Sequence, residues 1–230
     1  MVTPILDETE LDRIAAAVAD AESRTAYEII CVVTREVSTY PETPLVVGII
    51  VALILIPAAA ALGLGLAALS PGGDWLVGHV AAAGVQLHRA MLDYALLQAA
   101  AFGLAAWLAA IPPVRRFLTP DRLKAARVKK AAQQQYQSAR FADDGTGAGL
   151  VIFVSLHDRK VEIITDRATH QAVGETVWRG AVDAIRTKMA AGQAEEGLID
   201  AVKICGAGLA GQFPAAGPRE NTHTDRAIEL

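Results

Sequence analysis

From Leu45 to Leu69 the chain carries no charged residue, and from Leu92 to Pro113 it carries one, Asp93. Few folds accept two such stretches. As helices, Leu45–Leu69 spans about 37 Å and Met91–Ile111 about 31 Å, against a hydrocarbon core of about 30 Å. Their Leu, Ile and Val residues each favour insertion by a few tenths of a kcal/mol, and a buried core helix rarely needs an apolar run this long. The two segments are therefore expected to form a transmembrane hairpin. Pro57 should remove one backbone hydrogen bond from the first span and kink it, a defect that membrane helices tolerate. Pro112-Pro113 should end the second span, with Trp107 one turn inside the interface. The small-residue ridges Ala59/Gly63, Ala61/Gly65 and Ala95/Ala99/Gly103 would let these helices approach each other or another membrane protein.

Basic residues set the expected orientation. The connector Ser70–Ala90 has Arg89 alone, whereas Arg115, Arg116, Arg122, Lys124, Arg127, Lys129 and Lys130 follow the second span. By the positive-inside rule that exit is cytoplasmic, which places both termini inside and the connector outside. The acidic start around Asp7-Glu8 has no basic stretch leading into an apolar core, so no signal peptide is visible. Cys31 and Cys205 form no CxxC or zinc pattern and read as buried free thiols of a reducing compartment. The formal charge of −4 argues against nucleic acid as a partner.

The remaining sequence reads as one α/β domain split by the hairpin: residues 1–40, then 115–211, with 212–230 as a tail. Leu11, Ile14, Ala15, Val18 and Ala21 recur at helical spacing behind an acidic start, and Tyr27–Thr34 is a β-branched run typical of a buried strand. One helix and one strand cannot close a core, so they need elements from beyond the hairpin. There, Thr119 and Pro120 resemble an N-cap and first helical residue, followed by a basic helix from Asp121 to Ala139. Leu150–Ser155 and Val161–Thr165 are strands joined by the tight turn His157–Lys160, antiparallel to each other. Helices over Val173–Ala190 and Glu195–Gly211, parted at Gly192, complete a small mixed sheet flanked by helices, interrupted by a two-helix transmembrane hairpin.

Three stretches, Glu28–Val33, Gly147–Ser155 and Asp158–Asp166, together resemble the TPM domain family. The Arg115–Pro120 run (Arg-Arg-Phe-Leu-Thr-Pro) is similar to that of its bacterial membrane-anchored members. The resemblance implies an α/β sandwich; taken with the apolar spans and the basic residues, the expected location is a bacterial inner membrane. The resemblance does not imply a single activity: members have been linked to phosphatase activity, divalent-cation binding, and the assembly or modulation of membrane complexes. Arg167-Ala168 stand where the family usually has a glycine after the strand-end acid, a departure that bears on any site carried by that loop.

Candidate chemistry is sparse. Asp143 and Asp144 precede one strand and Asp166 ends the next, so all three would lie at one end of the sheet. Convergent carboxylates suit a hard cation such as calcium or magnesium. Glu162 shares the strand period with Asp166, and Asp158 belongs to the opposite end. Ser155 lacks a nucleophile elbow and an evident base. Gly145–Gly149 precedes a strand rather than opening a helix, so it is a turn and not a phosphate loop. His79 and His88, nine apart, match no metal spacing. The expectation is a non-enzymatic binding or assembly module on a membrane anchor, with membrane lipid and another membrane protein as partners; the alternative is a divalent-cation-dependent phosphatase-like hydrolase.

Overall fold

The structure is a computed structural model and describes residues 5–61, 85–139, 149–215, 217 and 224–230. It contains a mixed α/β fold with a four-stranded sheet flanked by helices. The chain divides into two compact units: Met1–Ser38 with Asp121–Leu230, and the inserted Thr39–Pro120.

In the first unit, helix α1 (Glu8–Glu22) opens with a capping box. The Asp7 carboxylate accepts from the Glu10 amide at 2.7 Å, and the Glu10 carboxylate accepts from the Asp7 amide at 2.7 Å. Two of the helix's orphan donors are thereby satisfied. Strand β1 (Glu28–Thr34) pairs in parallel with β2 (Gly149–Ser155), in the register Ile30↔Val151 and Val32↔Phe153. Strand β3 (Lys160–Thr165) runs antiparallel to β2. All residues of β1 and β2 are buried, which explains why both read as continuous apolar runs rather than alternating ones.

Alternation reappears in what each residue touches. Ile29, Cys31, Val33, Leu150, Ile152 and Val154 join the larger core, shared with α1 and with helices α8 (Glu175–Ala190) and α9 (Ala194–Gln212). Ile30, Val32, Val151 and Phe153 pack on the other face against Val128 and Ala132 of α6 (Asp121–Ser138). A period of two has divided one apolar run between two cores. Where α9 crosses α1, a side chain at Gly206 would bring its Cβ within 2.7 Å of the Ala21 Cβ. That contact requires glycine.

A short helix, α7 (Arg167–Val173), follows β3 and is separated from α8 by Gly174 at φ 89°. The sequence pattern alone leads directly from the strand to a helix beginning near Val173. The end of the chain also returns to the sheet: Ile228–Glu229 forms β4, parallel to β1, giving the order β3-β2-β1-β4.

The inserted unit contains α2 (Glu42–Ile50), a π-helical turn at Val51–Leu55, α3 (Ile56–Ala61), α4 (Val85–Ala110) and α5 (Pro112–Leu118). Gly48 is the point of close approach, since a Cβ there would lie 2.8 Å from the Phe102 ring. Ala95, Ala99 and Gly103 instead face outward; Gly63, Gly65 and His79 lie outside the described residues. Thr119 does not cap α6. Its hydroxyl donates back to the Arg115 carbonyl at 2.7 Å and accepts from the Thr43 hydroxyl at 3.0 Å. The latter bond ties the two ends of the insertion together, an outcome that local capping rules do not contain.

Pro57 has a specific consequence. The amide of Ile56 bonds to the Val51 carbonyl, one residue further back than an α-helix would have it. This leaves the Ala52 carbonyl without Ile56, and the next residue, Pro57, has no N–H to offer. The Gln98 side-chain amide of α4 fills the gap, donating to Ala52 at 3.1 Å.

Candidate functional site

Asp166 is the one member of the expected cation triad that the structure describes; Asp143 and Asp144 lie outside the described residues. β3 ends at Thr165, and Asp166 takes the N-cap position of α7. Its Oδ1 accepts from the amides of Ala168 at 2.9 Å and Thr169 at 3.0 Å. Its Oδ2 accepts from the Thr169 hydroxyl, with the Tyr27 hydroxyl 3.5 Å away. Burial pulls this carboxyl upward, but the Thr169 hydroxyl and amide, the Ala168 amide and Tyr27 together hold it below the ordinary aspartate value. Both of its oxygens accept from donors of the fold. As placed, it serves as the N-cap of α7.

This cap explains the departure at Arg167-Ala168. Those residues are the first of a right-handed helix, which has no need of glycine. Around the cap, Tyr27 bonds to Thr169, and its ring packs 5.0 Å from that of Phe213. Burial, and after it the negative charge of Asp166, push the Tyr136 hydroxyl above its usual range. Tyr27 is raised too, chiefly by burial, although its bond with Thr169 acts the other way.

At the opposite end of the sheet, the Ser155 hydroxyl is buried and donates to Asp158 Oδ2 at 2.7 Å. The same carboxylate oxygen accepts from the Val37 amide at 3.3 Å. Arg159 takes a left-handed conformation (φ 51°) to close the turn between β2 and β3. The Ser155 hydroxyl thus helps hold that turn, and His157 approaches Glu36 at 3.9 Å. Lys160 and Lys124 both approach Asp121, at 3.6 and 4.0 Å. Arg127 donates to Ser38. No group of three or more His, Cys, Asp or Glu suited to a metal ion occurs among the described residues.

Both cysteines are free and buried. Burial pushes Cys205 up to about 12; Cys31 is also raised, first by burial and then by Cys205 and Glu22. Neither is a reactive thiolate near neutral pH.

The inserted unit has a different surface. Leu45, Val46, Ile49, Leu53, Ile54 and Leu55 are exposed on its first arm, as are Leu92, Leu96, Leu104, Trp107 and Leu108 on α4. Leu230 apart, every exposed large apolar side chain among the described residues belongs to this unit. None of its described helices is by itself long and apolar enough to cross a membrane. Tyr94–Ala110 and Pro112–Leu118 pass that test together, but with a bend of 97° between them. The bend falls where Ile111, extended ahead of Pro112, cannot continue the helix. Phe117, beyond the bend, is 88% exposed.

Residues 115–207 match the family model described as the TPM domain. The fold is similar to that of the BA42 protein from the psychrophilic bacterium Bizionia argentinensis, determined by NMR. That likeness has a TM-score of 0.54 at 13% identity and covers 100% of this chain and 99% of the other. At such identity it speaks for the fold alone. A comparison with curated proteins gives no match.

Proposed function

We propose, for a chain that carries a TPM domain, that it is an integral membrane protein whose inserted unit anchors the domain at the cytoplasmic face of a bacterial inner membrane. The domain acts there as a non-enzymatic binding or assembly module, with membrane lipid and another membrane protein as partners. The observation that carries this reading is the distribution of exposed apolar side chains. A water-facing unit seldom leaves a contiguous apolar surface of this kind, and such a surface marks a membrane or protein interface. The uncharged stretch Leu45–Leu69 and the basic cluster from Arg115 to Lys130 support the hairpin and its orientation. The binding role is supported by how the polar groups at the two sheet ends are used: Asp166 caps α7, and Ser155 and Asp158 hold a turn.

Membrane fractionation tests the anchor. The protein should stay with the membranes after alkaline carbonate washing and be released by detergent. Reporter fusions after Asp74 should be active outside, and fusions at Leu230 inside. Release by carbonate would refute the anchor, and inverted reporter signals would refute the orientation.

A further inference from the structure

The C-terminal residues form a short strand along the side of β1 that β2 leaves open. Ile228 and Glu229 lie beside Val32 and Val33 in parallel register, and the Leu230 amide donates to the Val33 carbonyl at 3.1 Å. The Thr34 hydroxyl donates to the Leu230 carbonyl at 2.9 Å. Further back, the Glu22 carboxylate accepts from the Ile29 amide at 2.6 Å, which marks the upstream limit of the strip.

Side chains set the fit. The Arg226 guanidinium donates to Glu8 at 2.8 Å and to Asp12 at 2.6 and 3.2 Å. Ala227 is buried in the larger core, while Ile228 packs against the smaller one. Glu229 Oε1 accepts from the amides of Ile5 at 3.1 Å and Leu6 at 2.7 Å. A cation, a small apolar residue, a β-branched residue and a carboxylate are each met in turn.

The segment is specifically recognised but lightly held. Its ladder covers two residues. Its ion pairs are largely open to solvent, with Glu8 82% and Asp12 67% exposed, and exposed pairs of this kind contribute little. An edge strand whose ion pairs lie in solvent can be exchanged for another extended chain.

We propose that the side of β1 from Cys31 to Thr34, with Glu8, Asp12 and the Ile5 and Leu6 amides, is an acceptor site for an extended peptide of a partner protein. The peptide runs parallel to β1 and carries a basic residue, a small apolar residue, a β-branched residue and an acid in succession. Arg226–Leu230 is the chain's own occupant of that site and competes with the partner for it. This deepens the binding-module reading and rests on it for its purpose, although the site itself does not need the membrane.

The test uses the full-length chain in detergent and a fluorescent synthetic peptide of residues Thr224–Leu230. An Arg226→Glu chain, its own occupant loosened, should bind the peptide at least tenfold more tightly than the native chain does. A peptide with Arg226→Glu should not compete. In the native chain, hydrogen exchange at the Ile228 and Leu230 amides should be at least a hundredfold faster than at Val151 and Phe153. The proposal is overturned if the variant chain shows no saturable binding, if the substituted peptide competes equally, or if the two sets of amides exchange alike. Failure here with intact membrane retention removes the acceptor site and leaves the anchor. The converse pattern removes the anchor and leaves the site.

Discussion

The bond from Gln98 to the Ala52 carbonyl gives a sharp test of how the inserted unit holds together. Ala52 is buried, and its carbonyl is bypassed by the π-turn and refused by Pro57. Gln98→Leu keeps the side chain's approximate volume but removes the donor at 3.1 Å. Losing that bond, with the one Gln98 also gives the Tyr94 hydroxyl at 3.3 Å, and leaving a buried carbonyl unpaired should cost about 1–2 kcal/mol. For a chain of this length that is a fall in melting temperature of about 2–4 °C per kcal/mol. The decisive comparison is a second change. Pro57→Ala supplies an N–H one residue after Ile56, which can satisfy the backbone from within the helix. In that background Gln98→Leu should cost about 1 kcal/mol less than it does alone, a coupling that only a shared partner explains. The four proteins would be melted in the same detergent and followed by circular dichroism. Strict additivity would refute the reasoning, because Gln98 would then not be serving the carbonyl that Pro57 leaves open.

Two further outcomes concern the domain. Gly206→Val should destabilise it by about 1–3 kcal/mol, because the added Cβ would meet that of Ala21, which is 1% exposed and cannot turn away; Ala21→Gly should recover part of the loss, read by denaturant titration of the buried Trp178. Asp166→Ala should cost about 1 kcal/mol near neutral pH through loss of the α7 cap. The native carboxyl is held below its ordinary 3.8, so its contribution is complete above that value and disappears as the pH falls through the lowered one. The native and variant stability curves should therefore converge as the pH falls well below 3.8, and a constant gap would show that the charge contributes nothing. Calcium or magnesium should leave the native melting temperature unchanged; a shift that Asp166→Ala abolishes would mean that this acid serves a cation rather than the cap.

Residues whose burial is dictated by period gave up their places readily. The β-branched runs at Glu28–Thr34 and Gly149–Ser155 are strands, and the pairing of Ile30 and Val32 with Val151 and Phe153 follows once both are seen to need a covered sheet. The antiparallel turn at Asp158–Arg159 and the two buried thiols were also legible. Thr119 was not. Its Ser/Thr-Pro context fits an N-cap, yet Thr43, 76 positions earlier, engages its hydroxyl. Seven-residue α7 is too short to display a helical period, and its usable signal was Asp166 three residues before Thr169. β4 shows no strand period at all over two residues. Only the complementarity of Arg226 with Glu8 and Asp12, 214 to 218 positions away, identifies its place.

The same contrast explains why the site was harder to read than the fold. Carboxylates near one sheet end look alike in a sequence, whether they face a cation, a partner or their own backbone. Asp166 is recognised as a cap because the Thr169 hydroxyl and two amides donate to it, and those amides are free donors only because a helix starts there. Glu229 likewise becomes a recognition group only when the chain end lies beside Ile5 and Leu6. In both cases the deciding groups are backbone amides, and these are invisible to any reading that weighs side-chain types alone. Apolar surface behaves differently. It needs no partner geometry to be costly in water, so residue types alone mark the stretch from Leu45 onward as one that must be covered. The exposed faces of α2 and α4 accordingly leave the inserted unit with an apolar surface that water does not favour.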